Sequence, residues 1–208
     1  MAVAELDADP SPAPARQARK RGADRIEQML AIADRQINAS RTGAISMQVV
    51  SDEAGVSRAL VYAYFPDLPR LLDAVLVRHI AMLQARGIER LAEEGSASER
   101  VRRVAELFLR HSVEHGAALE YVLREPGIAR QLDGRATRFR AGVLKRLTRA
   151  LRRELRLGAH EAMILVQLLE VFPSEGSRLV RDGQLRLEDA LEVCDRMLDA
   201  SIEAIRPL

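Results

Sequence analysis

An all-α fold of about nine helices is what this 208-residue sequence predicts, and three observations predict it. Apolar residues return at intervals of three and four through most of the chain, the spacing of one helix face. No stretch alternates apolar and polar residues with the period of two that a half-buried strand would show. Glycine and proline gather in short breaks between the periodic stretches, at Gly43, Gly55, Pro66-Asp67-Leu68-Pro69, Pro126-Gly127 and Gly183.

Each element follows from its own residues. Residues 1–20 mix Pro, Ala and charge and are expected to be a flexible tail ending in a basic arm, Arg16, Arg19, Lys20 and Arg21. From Asp24 a helical stripe runs through Ile26, Met29, Leu30, Ala33 and Ile37, and Gly43 falls in its C-cap region. Two short segments follow, Ser46–Ala54 and Ser57–Phe65, with Gly55 between them. A long helix then turns Leu71, Leu72, Val75, Leu76, His79, Ile80 and Leu83 inward. Residues 93–97 break it, and Ser96 with Glu99 reads as a capping box. Val101, Val104, Phe108, His111 and His115 share the next face. Glu125-Pro126-Gly127 reads as a turn. Helical periods resume at about 134–157 and 159–181, with Pro173 expected to end or kink the latter. Leu187–Ile205 closes the chain.

Composition narrows the classes. The length can bury a real core, and 48% apolar residues are too many for wholesale disorder. One cysteine, Cys194, excludes an internal disulfide and any multi-cysteine metal site, which fits a reducing cytosol. The longest apolar run, Ala59–Phe65, is far short of the roughly 20 residues that cross a bilayer. Acids and prolines stand at the start where a signal peptide has an apolar stretch. A cytoplasmic protein with no membrane partner is expected. The net charge of +2 argues neither for nor against nucleic acid, but it hides a pattern. Residues 1–15 carry three acids and no base, residues 16–78 ten bases against seven acids, and the remainder 22 against 20. No Gly-rich phosphate loop, nucleophile elbow or metal motif occurs, so an enzyme, a cofactor and a metal are not expected.

Ser46–Phe65 carries the functional signal. A short amphipathic helix, a glycine and a second short helix opened by Ser57 make a helix-turn-helix. Gly55 permits the left-handed backbone of a tight interhelical turn. Ser57 can cap the second helix, leaving backbone N–H groups to face a phosphate. Of four Phe, three Tyr and no Trp in the chain, Tyr62, Tyr64 and Phe65 fall within four positions. Tyrosines on a short exposed helix suit phosphate and groove contacts. The same residues also fit a helical hairpin inside an ordinary bundle.

The run from Ile45-Ser-Met-Gln through Glu53-Ala-Gly-Val-Ser-Arg-Ala-Leu-Val-Tyr-Ala-Tyr-Phe-Pro, behind a basic arm, resembles the tetracycline-repressor (TetR) family over about residues 22–78. The resemblance implies a helix-turn-helix DNA-binding domain over 21–66 and an effector-binding and dimerisation domain over 67–208. It implies a ligand-responsive regulator, most simply a repressor, that binds a two-fold double-stranded operator as a homodimer and is released by a small-molecule effector. A helical small-molecule binding protein with a weak or inactive DNA head is the competing reading. On the family pattern Ser57, Arg58, Ala59, Tyr62 and Tyr64 lie on the recognition helix, with Ser46, Met47 and Gln48 at the start of the helix before it. Arg58 is the expected base contact, because a bidentate Arg–guanine pair is the commonest specific one. Arg19, Lys20, Arg21 and Arg70 are expected on phosphates. Three departures stand out: Ser51-Asp52 where Ile-Ala is usual, Leu68 in place of a frequent phosphate-binding Lys, and Ala59-Leu60 in place of a small-Thr pair.

In the C-terminal half, Met163–Phe172 is apolar nearly all round and the last helix has a broad apolar face, so the two together form half of an intermolecular four-helix bundle. Met163, Val166, Gln167, Leu191, Cys194 and Leu198 are the expected dimer contacts. His79, Phe108, His111, His115, Arg140 and Glu170 are the candidate effector contacts. His111 and His115, spaced i, i+4, also fit core histidines. Arg138, Lys145, Arg146, Arg149, Arg152, Arg153 and Arg156 fall opposite the apolar sector of their helix, as a solvated face does. Arg140 projects into that sector and needs an anion. The alternatives are a ligand carboxylate or an internal acid, Glu120 or Glu170, the internal acid being favoured.

Overall fold

The computed structural model describes the backbone of residues 14–205 and the side chains of residues 21–205. Twelve helical segments follow one another there, and no strand occurs among the described residues. The first, α1 (Pro14–Ser40), starts earlier than expected. Residues 14–20, placed in the tail by sequence, are helical; Pro14 presets the helical φ at a first-turn position, and Ala, Arg, Gln and Lys propagate helix well.

α2 (Met47–Ala54) and α3 (Arg58–Tyr64) pack with α1 into the head. Gly55 ends α2 at φ 65°, and its N–H reaches back to the carbonyls of Asp52 and Ser51. Any other residue there would be strained by the left-handed backbone. α4 (Leu68–Ala85) is capped by Asp67, whose side chain accepts from the Arg70 N–H at 2.8 Å. The expected run to residue 92 breaks at Gly87, φ 77°, leaving α5 (Ile88–Leu91) as a separate turn.

α6 (Ala97–His115) opens on the expected capping box of Ser96 and Glu99. It is the central helix of the body, packed on α9 (Arg135–Glu154), α11 (Val171–Arg181) and α12 (Leu187–Glu203). Between α6 and α9 lie α7 (Ala118–Arg124) and α8 (Pro126–Ala129). The second corrects the expected turn at 125–127: Pro126 starts a single helical turn, the position where its missing N–H costs nothing. α10 (Ala159–Leu169) and α11 are one periodic stretch broken at Glu170. Pro173 cannot donate to the Leu169 carbonyl, so the helix bends where sequence expected it.

One buried apolar cluster runs from the head (Met29, Val50, Val61, Phe65) through α4 (Leu72, Leu76) into the body (Leu109, Leu151, Leu198). Head and body are therefore fastened by a shared core rather than by a tether.

Candidate nucleic-acid interface and ligand cavity

The reading helix is built by its cap. The Ser57 hydroxyl accepts from the Leu60 N–H at 3.2 Å, satisfying one of the orphan donors of the first turn. Val61 and Phe65 go into the core, which forces the opposite strip outward. On that strip Ser57, Arg58, Ala59 and Tyr62 are exposed. Arg21, Arg58 and Arg70 are exposed and form no ion pair among the described residues. The contrast is with Arg35 and Arg78, close by, which pair with Glu53 and Glu27 at 3.0 Å. The side chains of Arg19 and Lys20 lie outside the described residues.

Three of the expected contacts fall elsewhere. Met47 is buried, because the first turn of α2 leans on α1 and needs an apolar side chain there. Gln48 is half-buried and donates to Asp52 Oδ1 at 2.7 Å, an i, i+4 pair that holds its amide on its own helix. Tyr64 is half-buried, with its hydroxyl beside Gly22 of α1, where an added Cβ would sit 3.6 Å away. It braces α3 against α1 instead of standing on the outer strip. Ser46 is exposed and its side chain makes no cap bond.

The body contains a cavity of about 380 Å³ between α4, α6, α7, α9, α10 and α11. Its walls are apolar, with Phe108 and Phe139 the largest side chains, and its polar groups are Glu120, Arg124, Arg140, Gln167, Glu170 and Ser174. Phe108, Arg140 and Glu170, expected as effector contacts, line this cavity. Arg140 pairs with Glu170 at 2.6 Å, the internal partner favoured above, but over half of its side chain is exposed, so it is not a buried charge. Arg124, the i, i+4 partner of Glu120 at 3.1 Å, was missed as a pocket residue, and Glu120 was expected only as an alternative partner for Arg140. Burial pushes the Glu170 carboxyl above its ordinary range, although Arg140 beside it pulls the other way.

His79, His111 and His115 do not line this cavity. They gather behind it with Asp34, at the seam where α1, α4 and α6 meet. His79 Nε2 lies 3.0 Å from Asp34 Oδ2, and His79 Nδ1 lies 2.9 Å from His111 Nε2. With Nε2–H of His79 donating to the carboxylate, Nδ1 accepts from Nε2–H of His111. His111 Nδ1 is then an enclosed acceptor with no partner. Burial first, then the neighbouring His79 and His115 rings, pushes the His111 imidazole down to about 3, so it is neutral at pH 7. Asn38 extends the cluster, donating to Asp34 Oδ1 at 2.9 Å and accepting from the Ala117 N–H at 2.7 Å. Asp34 was the missed member; an acid one position from Ala33 in an inward stripe was its signal. Among the described residues no group of three or more His, Cys, Asp or Glu is arranged to hold a metal ion.

The expected dimer helices present a different face. Val166, Cys194 and Leu198 are buried within the chain itself, and Leu191 is half-buried. The apolar residues left in the open on α10, α11 and α12 are Met163, Ile164, Leu168, Val171, Val193 and Met197, with Leu168 62% exposed. No helix among the described residues is long and apolar enough to cross a membrane.

No protein-family model matches the chain, and no curated protein matches it in sequence. Its fold is that of TetR-family transcriptional regulators. A TetR-like transcriptional regulator from Rhodococcus sp. RHA1 superposes with TM-score 0.67 at 17% identity, over 86% of this chain and 96% of that one. The TetR-family regulator PfmR from Thermus thermophilus gives 0.64 at 20% identity, over 85% and 97%. The transcriptional regulator FadR from Bacillus subtilis, in complex with stearoyl-CoA, gives 0.61 at 14% identity, over 86% and 97%.

Proposed function

We infer that the chain is a ligand-responsive transcriptional regulator, acting in the cytoplasm as a repressor and not as an enzyme. The observation that carries this reading is the exposed strip of Ser57, Arg58, Ala59 and Tyr62 on a capped seven-residue helix. A helix of that length, held by Val61 and Phe65 from behind, enters a major groove without distortion. Arg58 reads a base edge, Tyr62 and the Ser57 end of α3 sit on phosphate, and Arg21, Ser46 and Arg70 flank them on the backbone. A regulator of this fold binds a two-fold operator as a pair, and the open apolar face of α10–α12 supplies the pairing surface. The stretch 21–66 is the DNA-binding unit and 67–208 holds effector and partner.

The cavity is the effector site. An effector that prefers one arrangement of α4 and α6 shifts the population of head positions, and so the spacing of two recognition helices. FadR with its bound stearoyl-CoA supports a ligand role for a fold of this kind.

The test begins by selecting double-stranded DNA from a randomised pool on the purified protein. Arg58→Ala is expected to weaken binding of the selected site by about 1–3 kcal/mol and to relax preference at one base pair. Affinity should fall steeply as salt rises. No selected site, or Arg58→Ala and Tyr62→Phe both without effect in gel shift at fixed salt, removes the reading.

A further inference from the structure

The two Arg–Glu pairs at the cavity are layered, and the order of the layers is informative. Arg124 and Arg140 are 66% and 54% exposed at the side chain, whereas Glu120 and Glu170 are 12% and 30% exposed. The guanidinium groups are therefore the more accessible members of the two pairs, and the carboxylates the more enclosed.

The valences point the same way. Glu170 accepts from Arg140 through Oε2. Glu120 Oε1 faces Arg124, but Glu120 Oε2 is enclosed and has no partner among the described residues. An enclosed carboxylate oxygen without a donor is costly, and a donor that arrives with a ligand removes that cost. Each arginine already faces a carboxylate, so a ligand carboxylate would have to share a guanidinium with an acid already bound to it and would lie against two acids. Beyond the head, Phe108, Phe139, Val143, Leu147 and Val166 form a wall that offers no hydrogen bond. About 380 Å³ suits a small-drug-sized or medium-chain molecule.

We propose that the effector is an amphiphile with an apolar body and a hydrogen-bond-donating head, an amine foremost, held by the inner carboxylate oxygen of Glu120. This rests on the ligand-responsive reading above and gives its effector a polarity. It separates this chain's cavity from one suited to an anionic acyl group.

Matched ten-carbon probes decide it: decylamine, decan-1-ol and decanoate, titrated by calorimetry into the full chain and followed by thermal melting. Decylamine should bind at least tenfold more tightly than decanoate, with the alcohol between, and should raise the melting temperature most. Glu120→Gln keeps the shape of the side chain and should erase the preference for amine over acid. If Glu120→Gln melts early, Arg124→Gln serves as the second variant: it frees Glu120 further and should retain or strengthen amine binding. Decanoate binding more tightly than decylamine, or an amine preference unchanged in Glu120→Gln, overturns the proposal. So does a failure of all three probes to bind. DNA binding by the same preparation without ligand is scored separately, so loss of the amine preference with DNA binding intact fells this inference alone.

Discussion

The interior of this protein holds two polar clusters, and they differ in a way that separates architecture from function. Asp34, His79, His111 and Asn38 at the seam are bonded to one another: three helices converge, most donors meet an acceptor within the chain, and the space of about 620 Å³ beside Asp34 and Asn38 is not lined by His79 or His111. Glu120, Arg124, Arg140 and Glu170 are open: they pair only two by two, one oxygen is unfilled, and an apolar cavity begins where they end. Both clusters contain buried acids. Only in the second does a residue with an unfilled valence, Glu120, itself line the space; at the seam His111 holds the unfilled nitrogen, whereas the space there lies beside Asp34, Asn38 and His115.

The comparison can be broken by measurement. The largest expected effect is that of His79→Ala. It strands the Asp34 carboxylate and the His111 ring away from water and leaves a void, which should cost about 2–4 kcal/mol in urea unfolding. A loss below about 1 kcal/mol would show that the seam is not a structural joint.

Next is the response to pH. The His111 imidazole is held neutral when folded, down to about 3, while the unfolded chain protonates it near its ordinary 6.5. The unfolded state therefore binds the extra proton between those values. Stability from this group is complete above pH 6.5 and falls as pH drops toward 3, by at most about 1.4 kcal/mol per unit. Melting curves from pH 7 to 5 should show the decline, and His111→Gln should flatten it; an identical slope in the variant would contradict the assignment.

Smaller still is oligomer interference. Leu168→Glu lies on an already exposed position, so the folded chain should lose less than about 0.5 kcal/mol, yet sedimentation should shift from dimer to monomer. A wild-type monomer at micromolar concentration would remove the pairing surface from the account. The smallest effect is on the open cluster itself. Glu120→Gln should change stability by under about 1 kcal/mol in either direction, since it gives up an ion pair whose arginine is 66% exposed and relieves an unfilled carboxylate. Equal losses in Glu120→Gln and His79→Ala would erase the distinction between the clusters.

The head was the legible part. Its elements are fixed by neighbours in sequence: Gly55 sets the turn, Ser57 the cap, and Val61 with Phe65 the buried side, so local rules place Arg58 and Tyr62 outside. Met47 and Tyr64 escaped those rules because their surroundings come from α1, a separate element that local spacing does not describe. In the body, periodicity identified α6, α10 and α12 but not what lies against each face. His111 and Phe108 read as one pocket stripe, whereas the helices packed around α6 assign one to the seam and the other to the cavity. Val166, Cys194 and Leu198 were expected at a partner for the same reason: an apolar face wide enough for two neighbours does not say which neighbour is its own chain.

Phe108 and His111 are one helical turn apart on α6, about 4.5 Å along its axis, and they move as one rigid piece. The seam bond from His111 to His79 is 2.9 Å long and ceases to be a hydrogen bond near 3.5 Å. α6 is thus a gauge with a tolerance of about half an ångström. On the proposed reading, a molecule that shifts Phe108 and α6 by more than that would loosen the contact beside Asp34, on the helix that packs against α2.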